Sequence, residues 1–200
     1  MKKLSKLTKM VFLLLIVACS SESEISRIDN INYQKRINQV INENDNSTQR
    51  IMYSMLDKED KHKFWRDKIE NLLKEKSLDS KQIYALILVL NSLSTDIFDD
   101  KDNDSKIVFK TFQAEALIKE LVKNFDTKFI SENFYSLRNG GIGIVPPPDL
   151  DGDAVKDCTC NIGSTFSCSA GVECKRYGSC KASGSGCGFL WGFPCDGNCM

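Results

Sequence analysis

The sequence predicts a mainly α-helical protein: a small helical bundle, then a glycine- and proline-rich linker, then a small, irregular, disulfide-rich module at the C-terminus. Residues 1–139 contain no glycine and no proline, and all twelve glycines and four prolines follow. A long stretch without either residue favours helices over turn-rich sheets. Eight of the nine cysteines lie between Cys158 and Cys199, and such a density in a short segment indicates a disulfide framework.

The N-terminal segment combines basic residues with a short apolar run. Lys2, Lys3, Lys6 and Lys9 come before the unbroken apolar run 11–17. This pattern is typical of a signal peptide. Because a bilayer-spanning helix needs roughly 20 apolar residues, we expect a removable signal rather than a permanent transmembrane helix.

The end of this run carries a second motif. Ile16-Val17-Ala18-Cys19 resembles the lipobox of bacterial lipoprotein signal peptides, which implies that Cys19 is acylated, becomes the new N-terminus and anchors the chain in a membrane. Ser20-Ser21-Glu22-Ser23-Glu24 resembles the start of outer-membrane lipoproteins exported to the cell surface. That likeness implies a protein of the cell envelope, surface-exposed or released. An ordinary secretory signal that happens to include a cysteine is the alternative.

The charge balance restricts the function classes. The chain has 27 Lys+Arg and 27 Asp+Glu, and removing the signal peptide with its four lysines leaves 23 basic against 27 acidic side chains, a net charge of −4. This mildly acidic balance excludes nucleic-acid binding by bulk positive charge. It also excludes a strongly charged disordered chain.

The clearest helical pattern lies in the middle of the chain. Trp65, Ile69, Leu72 and Leu73 follow the i, i+4, i+7, i+8 spacing of one helix face. Asp57 stands where its carboxylate can cap the free N–H groups of that helix. The pattern therefore predicts a helix that starts after Asp57, with Trp65 in the core rather than on a binding surface.

Further helices are expected on both sides. Asp79 and Gln82 have capping-box spacing before the apolar run 83–90, which predicts a buried central helix. Shorter helices are expected around 33–41 and 51–56. Another apolar face consists of Ala114, Leu117, Ile118, Leu121 and Phe125. A small antiparallel bundle is the simplest assembly of these elements.

No set of residues in the helical segment supports catalysis. Asp100, Asp102 and Asp104 alternate like the start of an EF-hand, but the sixth loop position lacks glycine and the twelfth lacks glutamate, so a solvated loop is expected. His62, the single histidine, lies in a charged run and is expected at the surface. Without a nucleophile, phosphate-binding or zinc-protease motif, we expect a non-enzymatic protein without cofactor or metal.

The composition changes abruptly after residue 138. Asn139-Gly140-Gly141-Ile142-Gly143 and then Val145-Pro146-Pro147-Pro148 indicate a helix stop followed by a stiff spacer. Gly140-Gly141 also resembles the cleavage site of peptide bacteriocin leaders, although a hinge is the simpler interpretation. The expected segments are a lipoprotein signal peptide (1–18), a flexible tether (19–30), a helical module (31–138), a linker (139–157) and a disulfide-rich module (158–200).

The C-terminal cysteines are Cys158, Cys160, Cys168, Cys174, Cys180, Cys187, Cys195 and Cys199. An exported segment of 43 residues with eight glycines cannot bury enough apolar surface to fold alone, so four disulfides are expected to stabilise it. Eight cysteines allow on the order of a hundred connectivities, which the sequence leaves open. A zinc cluster is disfavoured, because the segment has no histidine and no C-x-x-C pair.

This segment resembles the fulvocin C-related family of eight-cysteine bacteriocins. The shared features are Cys158-Thr159-Cys160, Gly186-Cys187-Gly188 followed by Trp191, and the closing Cys195-Asp196-Gly197-Asn198-Cys199. The Phe64-Trp65 helix start resembles the helical region of longer, lipoprotein-like members. The resemblance implies an antibacterial protein that acts on neighbouring bacteria.

The same segment contains a candidate contact surface for a target membrane or envelope receptor. Its apolar members are Phe189, Leu190, Trp191 and Phe193, and its basic members are Lys175, Arg176 and Lys181. Aromatic side chains are favourable at membrane interfaces. The alternative is that the apolar side chains form the module's own small core. Beyond a target and the lipid-anchored membrane we expect no nucleic-acid partner, and the oligomeric state stays open. A non-toxic extracellular binding, adhesion or inhibitor-like module is the alternative function.

Overall fold

A computed structural model describes residues 29–138, 157–164, 166–168, 172–176 and 180–200. The chain divides into two compact units, residues 1–39 and 40–200. Of the first unit, the structure describes residues 29–39, which belong to helix α1 (29–42). No helix in the described part of the chain is long and apolar enough to cross a membrane. The predicted signal peptide, Cys19 and most of the tether lie outside the described residues.

The second unit begins with a helical part, residues 40–138, which we call the helical body. Its elements are α2 (Asn46–Ser54), α3 (Lys58–Leu72), α4 (Ser80–Ser92), a 3₁₀ turn (Thr95–Phe98), α5 (Asp104–Val108), a π-helical turn (Phe109–Gln113), α6 (Ala114–Asn124) and α7 (Thr127–Phe134). This architecture, followed by short strands and four disulfides, confirms the predicted mainly helical fold class.

Side-chain caps begin the helices where the sequence predicts them. Asp57 accepts a hydrogen bond from the Asp60 backbone N–H at 2.7 Å. Asp79 and Gln82 form the predicted capping box at the start of α4. The same device, an acidic or amide side chain that accepts from a free N–H group, begins α2, α5 and α7 at Asp45, Asn103 and Asp126.

The core of the helical body lies between α3, α4 and α6. Trp65 and Ile69 are fully buried, as the periodic face of α3 predicts, and so are Leu86 of α4 and Leu121 of α6. Helix α4 packs against both α3 and α6. The Trp65 indole N–H donates to the Tyr53 hydroxyl at 2.9 Å. This bond satisfies both polar atoms inside the core.

The prediction that α4 is buried on all sides is wrong. Ala85, Leu86 and Val89 are buried, but Ile83 and Tyr84 are exposed. Helix α4 packs against α3 and α6 on one side only. A helix apolar on all faces therefore occupies a peripheral position with one apolar side in contact with solvent.

The acidic loop before α5 is held by buried lysines. Lys61 Nζ lies 2.9 Å from Asp100, and Lys106 Nζ lies 3.8 Å from Asp102. Both lysine side chains are buried. His62 is half-buried rather than fully at the surface, with its ring centroid 6.3 Å from that of Phe98.

The second unit ends with residues 157–200, which we call the cysteine module. Its antiparallel strand pairs are β1 (Cys174–Lys175) with β4 (Asn198–Cys199) and β2 (Ser183–Cys187) with β3 (Phe193–Cys195). Asp157 bridges to Lys181, so the module begins one residue earlier than the predicted boundary at 158. Of the predicted linker, residues 139–157, only Asp157 lies within the described residues.

Candidate functional site: the docked tip of the cysteine module

All eight C-terminal cysteines form disulfides in the structure. The pairs are Cys158–Cys180, Cys160–Cys174, Cys168–Cys199 and Cys187–Cys195, with Cα–Cα distances of 5.0, 5.9, 5.6 and 5.1 Å. Cys158 and Cys160 bond to different partners. Four bridges indicate that the protein folds in an oxidising environment.

Disulfide-bonded cysteines form the buried cluster of the cysteine module. Cys158, Cys187 and Cys195 form a buried cluster against which Cys180 packs. The Sγ atoms of Cys160, Cys168 and Cys199 also lie within 4.8 Å of one another. Each of these three sulfurs belongs to a disulfide, and the thiolate rather than the disulfide is the metal-binding form of cysteine, so this cluster is part of the scaffold.

The candidate site is the connection between β2 and β3, a tight turn at Phe189–Trp191 that we call the tip. Gly188 enters it at φ 70°, where a Cβ atom would lie 2.8 Å from the Phe193 Cβ. Leu190 and Trp191 both adopt left-handed backbone conformations, with φ of 54° and 52°. Because such conformations cost L-residues about 1–3 kcal/mol each, favourable contacts elsewhere must hold the tip in place.

Those contacts come from the helical body. The Trp191 ring meets the Tyr53 ring edge to face, with centroids 5.3 Å apart. The Trp191 indole N–H donates to the Tyr135 backbone carbonyl at 3.0 Å. Trp191 thus contacts a ring that Trp65 already fixes through the Tyr53 hydroxyl.

Phe189 enters a second aromatic group. Its ring centroid lies 5.7 Å from that of Phe134, 6.0 Å from Tyr135 and 6.4 Å from Phe109. Phe189 is 1 % exposed and Leu190 is fully buried. Burial of one large apolar side chain stabilises by roughly 1.5–3 kcal/mol, so the three tip residues together offset the backbone strain.

Polar contacts border the docked tip on the side of helix α2. Arg50 Nη2 donates to the Thr159 carbonyl at 3.1 Å, and Ser47 Oγ donates to an Asp157 carboxylate oxygen at 3.2 Å. The Arg50 side chain also covers Gly186, where an added Cβ would lie 3.6 Å from its Cγ. Burial lowers the pKa of Arg50, and the negative charge of Asp157 opposes this shift.

A buried lysine fixes the end of α7, where Tyr135 is located. Lys68 Nζ donates to the backbone carbonyls of Ser136 at 2.6 Å, Glu132 at 3.2 Å and Arg138 at 3.4 Å. The ammonium also lies 5.4 Å from the Trp65 ring centroid. Burial lowers the pKa of Lys68 to about 7, while Glu132 opposes the shift.

A groove of about 750 Å³ runs between α6 and the cysteine module. Its apolar lining includes Ile118, Val122 and Phe166, and its basic lining consists of three lysines. Those lysines already face acidic partners: Lys119 lies 2.6 Å from Glu115, Lys123 lies 2.9 Å from Glu120, and Lys110 lies 3.9 Å from Asp102. The groove therefore offers little uncompensated charge to a ligand.

The structure separates the two halves of the predicted contact surface. Phe189 and Trp191 are buried against the helical body, and Leu190 between them is fully buried. Phe193 is half-buried, whereas Lys175, Arg176 and Lys181 are exposed. Neither sequence alternative describes this arrangement, because the tip forms part of an interface rather than the module's own core. In the docked state its apolar side chains are sheltered from solvent.

The receptor side of the interface was not identified from the sequence. Arg50 and Tyr53 lie on α2, Phe134 and Tyr135 lie at the end of α7, and no local motif connects the two pairs. The one available signal was the density of aromatic residues between Phe125 and Tyr135.

No protein family, characterised protein or solved structure was found to match this chain.

Proposed function

We propose that this protein is an exported, lipid-anchored bacterial protein whose cysteine module acts as an antibacterial effector at the envelope of competing bacteria. The observation that carries the proposal is the tip: a bridged scaffold with its own sulfur core presents Phe-Leu-Trp to a surface other than its own interior. The module does not use these side chains in its own sulfur cluster, so they can contact a target once they leave the helical body.

The chemistry of the module suits an envelope target. Trp and Phe partition favourably into the interface between bilayer and water. Lys175, Arg176 and Lys181 are exposed. Lys175 lies 2.9 Å from Glu173, so Arg176 and Lys181 are the basic side chains that would each contribute about 1 kcal/mol to binding at an anionic lipid surface. The described cysteine module thus combines an apolar insertion element with basic residues that favour an anionic membrane.

Export and anchoring complete the proposal. Four disulfides require an oxidising compartment, in agreement with the signal peptide inferred at 1–18. The lipobox resemblance makes Cys19 the anchor and the outer membrane the location, and the fulvocin C-like spacing supports the antibacterial role. Neither catalysis nor nucleic-acid binding is part of the proposal.

A non-toxic binding, adhesion or inhibitor-like module is the second candidate. The observation in its favour is that the tip already has an intramolecular partner. With the tip docked, the described cysteine module exposes polar and basic side chains, which suit a receptor more than a bilayer.

Competition in mixed culture distinguishes the two. The producing bacterium carrying the full chain is grown with related strains beside an isogenic producer that lacks residues 157–200. We expect competitor counts to fall only with the full chain. Equal competitor counts together with reduced attachment of the deletion strain would favour the adhesion module and reject the effector.

The anchor is tested in the same strains. The Cys19→Ala variant is expected to leave the membrane fraction and appear in the soluble fraction or the medium. If the variant still fractionates with membranes, Cys19 is not the anchor.

A further inference from the structure

The interface between the tip and the helical body has the properties of a reversible inhibitory contact. We propose that the helical body is an intramolecular inhibitor that shelters the Phe-Leu-Trp tip, and that undocking of the tip exposes the membrane-active surface of the cysteine module. This inference rests on the proposed function, since it names the regulation of the same site.

The surface of the helical body that receives the tip fits the Trp191 side chain closely. Tyr53 presents a ring to Trp191, and the Tyr135 carbonyl accepts the single polar proton of that indole. Every chemical feature of the Trp191 side chain therefore has a partner in the helical body. An exposed indole would have to leave both contacts, so docking competes directly with insertion into a membrane.

The cysteine module and the helical body each have a core that does not depend on the docked tip. The cysteine module retains four disulfides and the Cys158, Cys187 and Cys195 cluster. In the helical body, Ile69 and Leu86 are fully buried, and the α3–α4 and α4–α6 packing does not involve the tip. Undocking of the tip thus leaves two stabilised parts, which a contact inside a single shared core would not allow.

The backbone of the docked tip is strained. Leu190 and Trp191 hold left-handed conformations that the sequence does not favour. The contacts made on docking offset this strain. Such an arrangement narrows the free-energy difference between the docked and undocked states.

The polar border provides a means to shift this equilibrium without altering either core. Arg50 donates to the Thr159 carbonyl close to Asp157. In Arg50→Glu, a carboxylate would face that carbonyl and the Asp157 carboxylate, which repel it. Arg66→Glu is the matched control, because Arg66 is an exposed arginine of α3 whose side chain bonds to Glu70, away from the module.

The experiment uses the mature chain with Cys19→Ser, fully oxidised, as parent, Arg50→Glu and Arg66→Glu proteins. Exchange of the Trp191 indole N–H reports undocking, because this group bonds to the Tyr135 carbonyl across the interface. Exchange of the Trp191 and Gly192 amides, which bond to the Gly188 and Phe189 carbonyls inside the tip, reports opening of the turn itself. Both are measured as tip exchange. Co-sedimentation with vesicles of phosphatidylethanolamine and phosphatidylglycerol reports exposure of the apolar tip. Growth of related strains is recorded in parallel.

We expect Arg50→Glu to raise tip exchange and vesicle partitioning by a similar factor, about tenfold or more, because a hydrogen bond to a charged group contributes about that much to an equilibrium. Arg66→Glu should behave like the parent. Adding Trp191→Ala to Arg50→Glu should abolish the gain in vesicle binding.

Several results would overturn the inhibitor role. These are unchanged tip exchange in Arg50→Glu, faster tip exchange without a gain in vesicle binding, and tip exchange that rises only together with exchange in the α3 and α4 core. A parent protein that inhibits growth as strongly as Arg50→Glu rejects inhibition but keeps the antibacterial function. Vesicle binding that rises without growth inhibition keeps the sheltered tip and rejects the antibacterial function.

Discussion

The helical body and the cysteine module are stabilised by different means. In the helical body, large side chains such as Trp65, Ile69 and Leu121 are fully buried. In the cysteine module, the buried cluster consists of Cys158, Cys187 and Cys195. Disulfides reduce the entropy of the unfolded chain and so replace apolar burial as the source of stability.

This difference explains why the tip faces outward from its own module. A scaffold held by covalent bridges does not require Phe189, Leu190 and Trp191 inside, so these side chains are available for an interface. The helical body, which depends on apolar contact, supplies the matching aromatic surface around Tyr53 and Phe134. Covalent stability in one region therefore permits an apolar interaction surface that a module of this size could not otherwise spare.

The largest expected effect separates the two regions by chemistry. Reduction of the four disulfides should unfold the cysteine module, because each bridge contributes roughly 2–4 kcal/mol, while the helical body keeps most of its helix. Far-UV and near-UV circular dichroism before and after reduction measure the two parts. Loss of the helical signal at the same reductant concentration would show that the helical body cannot fold without the module.

Removing the central side chain of the interface should have the next largest effect. Trp191→Ala is expected to lower the free energy of unfolding by about 3–5 kcal/mol through lost burial. Trp191→Phe should cost less, since it keeps a ring but leaves the Tyr135 carbonyl without its donor. Urea denaturation measures both. Phe112→Ala, at a side chain 69 % exposed, is the control and should change stability by no more than about 0.5 kcal/mol. A similar small effect of Trp191→Ala would contradict the docked tip.

Lys68, the buried lysine behind the interface, should make the free energy of unfolding depend on pH. Its pKa is lowered to about 7 in the folded protein from an ordinary value of 10.5, so between these pH values the unfolded chain holds a proton that the folded protein has released. Stability relative to Lys68→Met should therefore rise with pH above 7, by up to about 1.4 kcal/mol per pH unit. Below pH 6 the difference in free energy of unfolding between the parent and Lys68→Met should stay constant.

Urea denaturation of the parent and Lys68→Met between pH 6 and 9 measures this difference. A difference that stays level across that range would mean that the Lys68 ammonium remains charged among its three carbonyl partners.

The smallest expected effect is confined to the helical body. Asp79→Ala removes the capping box of α4 and should lower stability by about 1 kcal/mol. Thermal unfolding measures the loss, and Lys81→Ala, an exposed neighbour on the same helix, serves as the control. Because α4 does not belong to the described tip interface, hydrogen exchange at Trp191 and Gly192 should stay unchanged. Faster hydrogen exchange at the tip in Asp79→Ala would show that the helical body and the cysteine module are coupled through α4.

Local signals were sufficient to predict much of the fold. Asp57 and the Asp79–Gln82 pair cap their helices as their spacing indicates, and Trp65 and Ile69 lie in the core because their period matches one helix face. The eight C-terminal cysteines form disulfides. Each of these features depends on residues close in the chain or on composition alone.

Long-range features could not be predicted in the same way. The apolar run of α4 is compatible with both a buried and a peripheral position. Tyr84 is exposed because the helices that pack against α4 do not cover it. The disulfide pairing joins cysteines up to 31 residues apart. The receptor for the tip combines Arg50, Tyr53 and Tyr135, which no pattern in the sequence connects.

The sequence by itself determined where helices begin, where they give way to glycine and proline, and that the C-terminal module depends on disulfides, because caps, periodicity and cysteine density act over a few residues. Only the tertiary structure decided which surface covers the Phe-Leu-Trp tip. That choice depends on side chains brought together from α2, α7 and the β2–β3 connection, and the free energy of such a contact belongs to the assembled surface rather than to any segment of the chain.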